Sequence, residues 1–191
     1  MTRIFLAFLI SLFTVTAFAQ KAAKSDTTKK EASVPQKKFT CDSIVVDFET
    51  GLLNGKIGPN SPVDSIKKYL PCVSSEIPFA SDERVCGGGA VLEKPGIFFN
   101  LENGFIEFTP TTKAQLPLKL FGVLEDDITA ITGDPVQITD LQPYSDRAIQ
   151  SVYLYPKSYG CLAVWVDQQD KKVFKIQLQS KPPASAFLCI E

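Results

Sequence analysis

Residues Gly96–Thr109, Gly-Ile-Phe-Phe-Asn-Leu-Glu-Asn-Gly-Phe-Ile-Glu-Phe-Thr, predict a β-hairpin. Asn103 and Gly104 form the predicted turn, because both residues tolerate the positive φ of a two-residue type I′ turn. That turn sets a register of three opposed pairs, Glu102–Phe105, Leu101–Ile106 and Phe99–Phe108. One face of the hairpin is then apolar and needs a core, and it carries Ile97, Phe99, Leu101, Ile106 and Phe108. The other face carries Phe98, Asn100, Glu102, Phe105, Glu107 and Thr109.

The first twenty residues have the parts of a secretory signal peptide. Arg3 gives a positive start, Ile4–Val15 is almost wholly apolar, and Ala17-Phe18-Ala19 is a small-x-small cleavage site. The apolar run is shorter than the roughly 20 residues of a membrane-spanning helix. We therefore predict a signal peptide at 1–19 and a secreted or periplasmic mature chain that has no transmembrane segment.

Charge is distributed unevenly along the mature chain. Residues 20–38 hold six lysines and two acidic residues, whereas the residues from Phe39 onward have a net charge of −6. We interpret 20–38 as a flexible basic leader and 39–191 as the folded domain. An acidic domain does not suit nucleic acid, so no nucleic-acid partner is expected.

All five cysteines lie in the predicted exported part, where disulfides form and persist. The number is odd, so at most two bridges form and at least one thiol stays free. Spacing leaves the pairing open. The two candidate pairs are Cys72–Cys86, which closes a short loop, and Cys41–Cys189, which ties together the ends of the folded region.

The residues before the hairpin predict a strand and a short helix. Cys41–Phe48 contains an apolar run typical of a strand. Ser61 is the predicted helix cap, with Pro62 at the first helical position and Pro71 ending the helix. The helix is expected to lie across the apolar face of the hairpin through Val63, Ile66 and Leu70.

Other segments are predicted as strands and loops. Cys72–Glu93 is interpreted as irregular, and its three adjacent glycines favour a turning loop over a phosphate site because no helix follows them. Leu116–Leu124 contains a proline and suggests an edge strand or a bend. Pro135–Leu141 and Ala148–Tyr155 predict two strands joined by a turn at Pro143–Asp146.

Residues Gly160–Gln179 predict a second hairpin with a polar turn at Asp167–Lys172. Its core face carries Leu162, Val164, Val166, Phe174, Ile176 and Leu178. Its outward face carries Ala163, Trp165, Lys175 and Gln177, so Trp165 is expected to meet Lys175 in a cation–π contact. The two hairpins suggest two halves, about 39–112 and 113–191, of a loosely duplicated architecture.

Aromatic residues near the second hairpin are the candidate binding residues. Tyrosine and tryptophan combine a large apolar area with a polar tip and often rim recognition surfaces, although strand packing explains them as well. The candidates for an exposed recognition patch are Trp165, Lys175, Tyr153, Tyr155 and Tyr159.

The chain contains no histidine, which removes histidine-based nucleophilic and acid–base catalysis and nearly all zinc hydrolases. No cofactor or metal site is predicted. The carboxylates at 125–127 are interpreted as a solvated turn. A carboxylate-based hydrolase using Asp126, Asp127 or Glu107 is the alternative that survives, and it requires two acids gathered in one cleft.

These observations predict a β-rich α+β single domain, an antiparallel sheet built from hairpins with one or two short helices. We expect a non-catalytic binding module of the cell envelope that recognises a protein partner. A disulfide-linked structural envelope protein is the third possibility, suggested by the odd thiol.

The predicted elements come in the order of a turn at Ile57-Gly58, a Ser-capped helix ending at Leu70-Pro71 and a following antiparallel sheet. In this order of its predicted elements, the chain is similar to small periplasmic modules of the envelope-assembly and β-lactamase-inhibitor-like type. The resemblance implies protein binding, and no functional residue is carried over from it.

Overall fold

The computed structural model describes residues 43–79, 86–142 and 148–190, all within one structural unit, Lys37–Glu191. The predicted signal peptide, the basic leader, Cys41 and the turn at Pro143–Asp146 lie outside the described residues. Among the described residues, no helix has the length and apolar character needed to cross a membrane.

The described residues form an eight-stranded antiparallel sheet, a two-stranded sheet and two short α-helices, which confirms the predicted α+β class. The helices are α1 (Val63–Tyr69) and α2 (Ile128–Thr132), and a 3-10 turn at Glu125–Asp127 leads directly into α2. The strands are β1 (Val46–Asp47), β2 (Leu52–Leu53), β3 (Ser75–Ile77), β4 (Gly89–Leu92), β5 (Ile97–Asn100), β6 (Phe105–Phe108), β7 (Gln137–Leu141), β8 (Gln150–Lys157), β9 (Gly160–Asp167) and β10 (Lys172–Gln179).

The large sheet has the strand order β3-β4-β5-β6-β10-β9-β8-β7. It therefore consists of two four-stranded meanders that meet where β6 pairs with β10, and a short helix precedes each meander along the chain. Strands β3 and β7 are the two edges. The duplicated origin of the two halves stays a prediction.

The first hairpin is confirmed, but its predicted register is wrong by two residues. Phe99 pairs with Ile106 and Asn100 with Phe105, so the turn has four residues rather than two. Asn100 is fully buried and its side-chain amide donates to the Cys86 carbonyl at 2.7 Å, which fixes the strand end there. Gly104 alone supplies the positive φ, at 71°. A shift of two preserves the predicted faces, because side chains alternate with period two.

The main core lies on the face of the sheet that β1, β2 and the helices cover. The apolar residues of the first hairpin meet Ile66 of α1 and Leu70, the residue after α1, there, as predicted, and Ile128 of α2 joins them. Ser61 does not cap α1, because its hydroxyl oxygen accepts a hydrogen bond from the Gly58 amide instead.

The opposite face of the sheet is covered by residues 186–190, the last that the structure describes, which we call the C-terminal strap. Ala186, Leu188 and Ile190 pack on a second apolar cluster that contains Trp165. Phe187 stacks on Phe105 with 6.1 Å between ring centroids. The strap therefore covers this face of the sheet, and the helices and the small sheet cover the other.

Hydrogen bonds to its backbone and a disulfide also hold the strap in place. The Gln179 side chain accepts from the Phe187 amide at 2.7 Å and donates to the Phe187 carbonyl at 3.0 Å. Cys189 forms a disulfide with Cys86, 103 residues earlier. Both predicted pairings are therefore wrong: Cys72 is disulfide-bonded but not to Cys86, and Cys189 is not bonded to Cys41.

The second hairpin is confirmed at β9 and β10, with one correction. A β-bulge between Val173 and Lys175 shifts the register, so Val173 faces the main core and Phe174 packs on the strap side. A bulge adds one residue to a strand and reverses the alternation on one side of it. The sequence pattern carries no signal for it.

Local predictions failed where strands are very short. Cys72–Glu93 contains β3 and β4, although it was expected to be irregular. The predicted first strand is reduced to Val46–Asp47. Leu116–Leu124 forms the bend of the prediction, at Pro117 and Leu118, rather than an edge strand, and it adds an isolated bridge at Leu124. Strands β7 and β8 confirm the two predicted strands within two residues at each end.

Candidate functional site

Large apolar side chains are exposed mainly in one part of the chain. Five of the seven that the structure leaves exposed lie between residues 124 and 149, around the edge strand β7. Scattered exposed apolar residues are ordinary on a protein surface, whereas a concentration of them marks an interaction site. The seven residues are Val45, Phe79, Leu124, Ile131, Val136, Ile138 and Ile149.

Strand β7 and the residue just before it present two of these residues at the edge of the sheet. Ile138 is 54% exposed although it lies opposite the buried Tyr153, and cross-strand partners share a face of the sheet. Ile138 therefore projects on the same side as the helices. Val136 is 62% exposed, and its amide donates to the Leu154 carbonyl at 3.0 Å. Beyond this edge, the described part of the chain adds no further strand.

The helix α2 fixes two more exposed apolar residues beside the same stretch of β8. Ile128 is fully buried in the main core, and the Thr132 hydroxyl donates to the Tyr155 hydroxyl at 2.7 Å. These two contacts hold α2 against β8. Ile131 of α2 stays exposed, and so does Leu124, which lies one residue before the 3-10 turn and forms a bridge to Lys172 at the start of β10.

The segment around these apolar residues is strongly acidic. Residues 121–142 contain five carboxylates and no lysine or arginine. Lys171 reaches this segment from the β9–β10 turn, and its ammonium lies 3.3 Å from a Glu125 carboxylate oxygen. We call the surface made by β7, the 3-10 turn and α2 the acidic edge. It comprises Leu124, Ile131, Val136 and Ile138, with the carboxylates Glu125, Asp126, Asp127, Asp134 and Asp140.

A chain of hydrogen bonds ties the acidic edge to the sheet. Glu125 accepts from the Tyr153 hydroxyl at 2.8 Å and from the Gln168 amide at 2.7 Å. The Gln168 amide also donates to Ser151, whose hydroxyl donates to Asp140 on β7 at 2.6 Å. The network joins the 3-10 turn, β8, the β9–β10 turn and β7, and so holds the surface in one arrangement.

Glu125 is the centre of this network, and its ionisation is shifted. Burial opposes the charged form, but the hydrogen bonds from Tyr153 and Gln168 and the contact with Lys171 outweigh it, so the pKa of Glu125 lies below its ordinary value. Burial and the neighbouring Glu125 carboxylate raise the pKa of Tyr153. At neutral pH Glu125 is therefore an anion and Tyr153 a neutral donor.

A cavity of about 150 Å³ opens beside α2, next to the acidic edge. Its volume is well below the roughly 300–1,000 Å³ of typical small-molecule sites. It is therefore suited to one inserted side chain. Lys157 and Glu49 form an ion pair of 2.5 Å in its wall. The other lining residues are Phe48, Leu118, Ile131, Thr132, Tyr155 and Leu162.

The five residues predicted to form an exposed recognition patch do not form one. Trp165 is fully buried, Lys175, Tyr153 and Tyr155 are at most 8% exposed, and Tyr159 is partly buried. The Tyr159 hydroxyl is buried with no hydrogen-bond partner among the described residues. Tyr153 and Tyr155 lie on the helix side of the sheet and Trp165 on the strap side, so two faces separate them.

The contact between Trp165 and Lys175 is confirmed, and only its exposure was mispredicted. The Lys175 ammonium lies 3.9 Å from the centroid of the Trp165 ring and 3.9 Å from a Glu107 carboxylate oxygen. The Trp165 indole donates to Gln177 at 3.3 Å. Both side chains are therefore buried on the side of the sheet that the strap covers.

The carboxylates of the hydrolase alternative are not gathered. Glu107 accepts from Gln177 on the strap side of the sheet, while Asp126 and Asp127 lie in the exposed 3-10 turn on the helix side. The described residues contain no group of three or more histidine, cysteine, aspartate or glutamate side chains arranged to hold a metal ion.

Sequence reasoning missed Ile138, Val136, Asp140 and the role of Glu125. The absence of basic residues from 121–142 was an available signal, because it sets this segment apart from the rest of the chain.

Comparisons with protein-family models, with curated proteins and with solved structures found no match to this chain.

Proposed function

We propose that this chain is an exported, non-catalytic binding module that recognises a protein partner through the acidic edge. The observation that carries the proposal is the pair of exposed apolar side chains, Val136 and Ile138, at an open sheet edge that partly buried hydrogen bonds tie to the acidic turn before α2. Rigid apolar surface next to charge is typical of protein recognition sites.

Export is supported by the disulfide and by the N-terminal sequence. Cys86–Cys189 closes a long loop. Disulfides of this kind form and persist in oxidising compartments and are rare in the cytosol. The remaining thiol that the structure describes, Cys161, is fully buried. Cys161 therefore offers no exposed sulfur for a link between folded molecules.

The proposal is tested by affinity capture from the envelope fraction of the source cells. The bait is the mature protein with its disulfides intact, compared with Ile138→Ser and with the control Phe79→Ser. Phe79 is 61% exposed beyond the opposite edge strand, so the control removes at least as much apolar surface elsewhere. We expect one enriched partner, retained by the control and reduced at least about tenfold by Ile138→Ser, since burying an isoleucine contributes about 1.5–3 kcal/mol.

Two results contradict the proposal. One is capture that Ile138→Ser leaves unchanged, and the other is the absence of any partner enriched over the bare matrix. Circular dichroism and thermal melting of both variants establish that each is folded, because an exposed edge residue contributes little to the core.

A further inference from the structure

We infer that strand β7 receives an extended, basic segment of the protein partner, which pairs with it as a ninth strand of the sheet. This inference rests on the proposed function and adds the mode of binding and the chemistry of the partner. Strand addition satisfies the backbone groups along an open edge, while side chains of the added strand give specificity.

The two edges of the sheet differ in how they are protected. Strand β3 has three residues, is followed by Pro78, and bears Glu76, which is ion-paired with Lys67. Strand β7 has five residues and contains no proline, lysine or bulge. Natural proteins protect open edges by short strands, prolines, charged side chains (above all lysine) and bulges. Of these protections β7 has one charged side chain, Asp140, so it is the less protected edge and the one suited to pairing.

Charge decides against a second copy of this chain as the occupant. Pairing two β7 strands brings two 121–142 segments together, each with five carboxylates of which, among the residues that the structure describes, Glu125 alone is paired with a lysine, Lys171. Like charges placed together disfavour the wrong partner. A segment that carries lysine or arginine is instead attracted to this surface and neutralises it.

The alternation along β7 specifies the added strand further. Ile138 and Asp140 share the helix side of the sheet, while Gln137 and Thr139 face the other side. In an antiparallel partner, an apolar residue faces Ile138 and a basic residue two positions earlier faces Asp140. A second apolar residue, two positions later, lies beside Val136. The expected pattern is therefore basic-x-apolar-x-apolar.

The inference is tested with a blocked peptide, Thr-Lys-Thr-Val-Thr-Val-Thr, titrated into the isotopically labelled mature protein and followed by amide NMR. Two control peptides test the charge and the backbone hydrogen bonds separately. The first has glutamate in place of lysine, and the second carries N-methyl groups on alternate backbone amides. We expect saturable shifts in β7 and β8, and binding at least about tenfold weaker for each control, because each removes favourable charge or backbone hydrogen bonds. Ile138→Ser weakens binding of the lysine peptide, and Phe79→Ser does not.

Three outcomes overturn the inference: no shift at β7 with the lysine peptide, equal binding of either control peptide, or a β7-dependent dimer in sedimentation. These outcomes are separate from failure of the proposed function. If capture of a partner depends on Ile138 but the β7 amide signals do not shift in the titration, the proposed function stands and strand addition is rejected. If the peptide binds β7 but no partner is captured, strand addition at β7 is supported and the proposed recognition of a protein partner is rejected.

Discussion

At the scale of single residues, Glu125 does more for the candidate site than any other acid. It joins the turn before α2 to Tyr153 of β8 and to Gln168 of the β9–β10 turn. Hydrogen bonds to an ionised acceptor are stronger than those between neutral groups. The anion of Glu125 therefore stabilises the arrangement in which the neighbouring apolar residues stay exposed.

The lowered pKa of Glu125 predicts how stability depends on pH. A carboxyl group whose pKa is lower in the folded than in the unfolded state stabilises the fold above its unfolded pKa, about 4.3, and this contribution is lost as the pH falls below it. We expect urea unfolding to show that wild type exceeds Glu125→Gln in stability at pH 7, and that the difference shrinks between pH 5 and pH 3. A difference that stays constant over this range contradicts the account.

The residue pair Trp165 and Lys175 shows what a strand pattern predicts well and what it does not. Two residues opposite each other on a hairpin must meet, so their cation–π contact was predictable from spacing. Their burial was not, because it depends on residues 186–190, which return to cover them. Alternation identifies the two faces of a strand but not what packs on each.

At the scale of elements, the C-terminal strap replaces a second layer of regular structure. It has no strand or helix of its own, and it is held by the Gln179 side chain, by Phe105 and by the disulfide to Cys86. Under it lies Cys161, whose pKa burial raises to about 11. The strap therefore protects both the second apolar cluster and the free thiol.

Removing the disulfide with Cys86→Ser/Cys189→Ser tests this role. We expect a loss of about 2–5 kcal/mol in the free energy of unfolding, because the bridge closes a loop of about 100 residues. We also expect Cys161 to react with a thiol reagent at pH 8 at least about tenfold faster than in wild type. Adding Cys161→Ala abolishes that signal. An unchanged labelling rate means that the strap stays closed without its bridge.

The first hairpin shows where element prediction is reliable. Apolar alternation identified both strands and both faces, and these survive a register error of two residues. The turn length was mispredicted because Asn100 is held by the Cys86 carbonyl, a contact from a distant part of the chain. The disulfide pairing was missed for the same reason, since long-range contacts leave no local pattern.

At the scale of the whole molecule, other parts of the chain pack on both faces of the large sheet. The helices and the small sheet pack on one face, and the strap packs on the other. The edges are then the parts of the sheet left to interact, and β7 is the longer and less protected of the two. The acidic net charge of the folded part is concentrated beside it.

The central claim, that a protein partner contacts the acidic edge, is tested most directly by photo-crosslinking in the source cells. A photoreactive phenylalanine analogue replaces Ile138 in one strain and Phe79 in a matched strain. We predict a single adduct with another protein from position 138 and none from position 79. No adduct from position 138, or the same adduct from both positions, contradicts the claim.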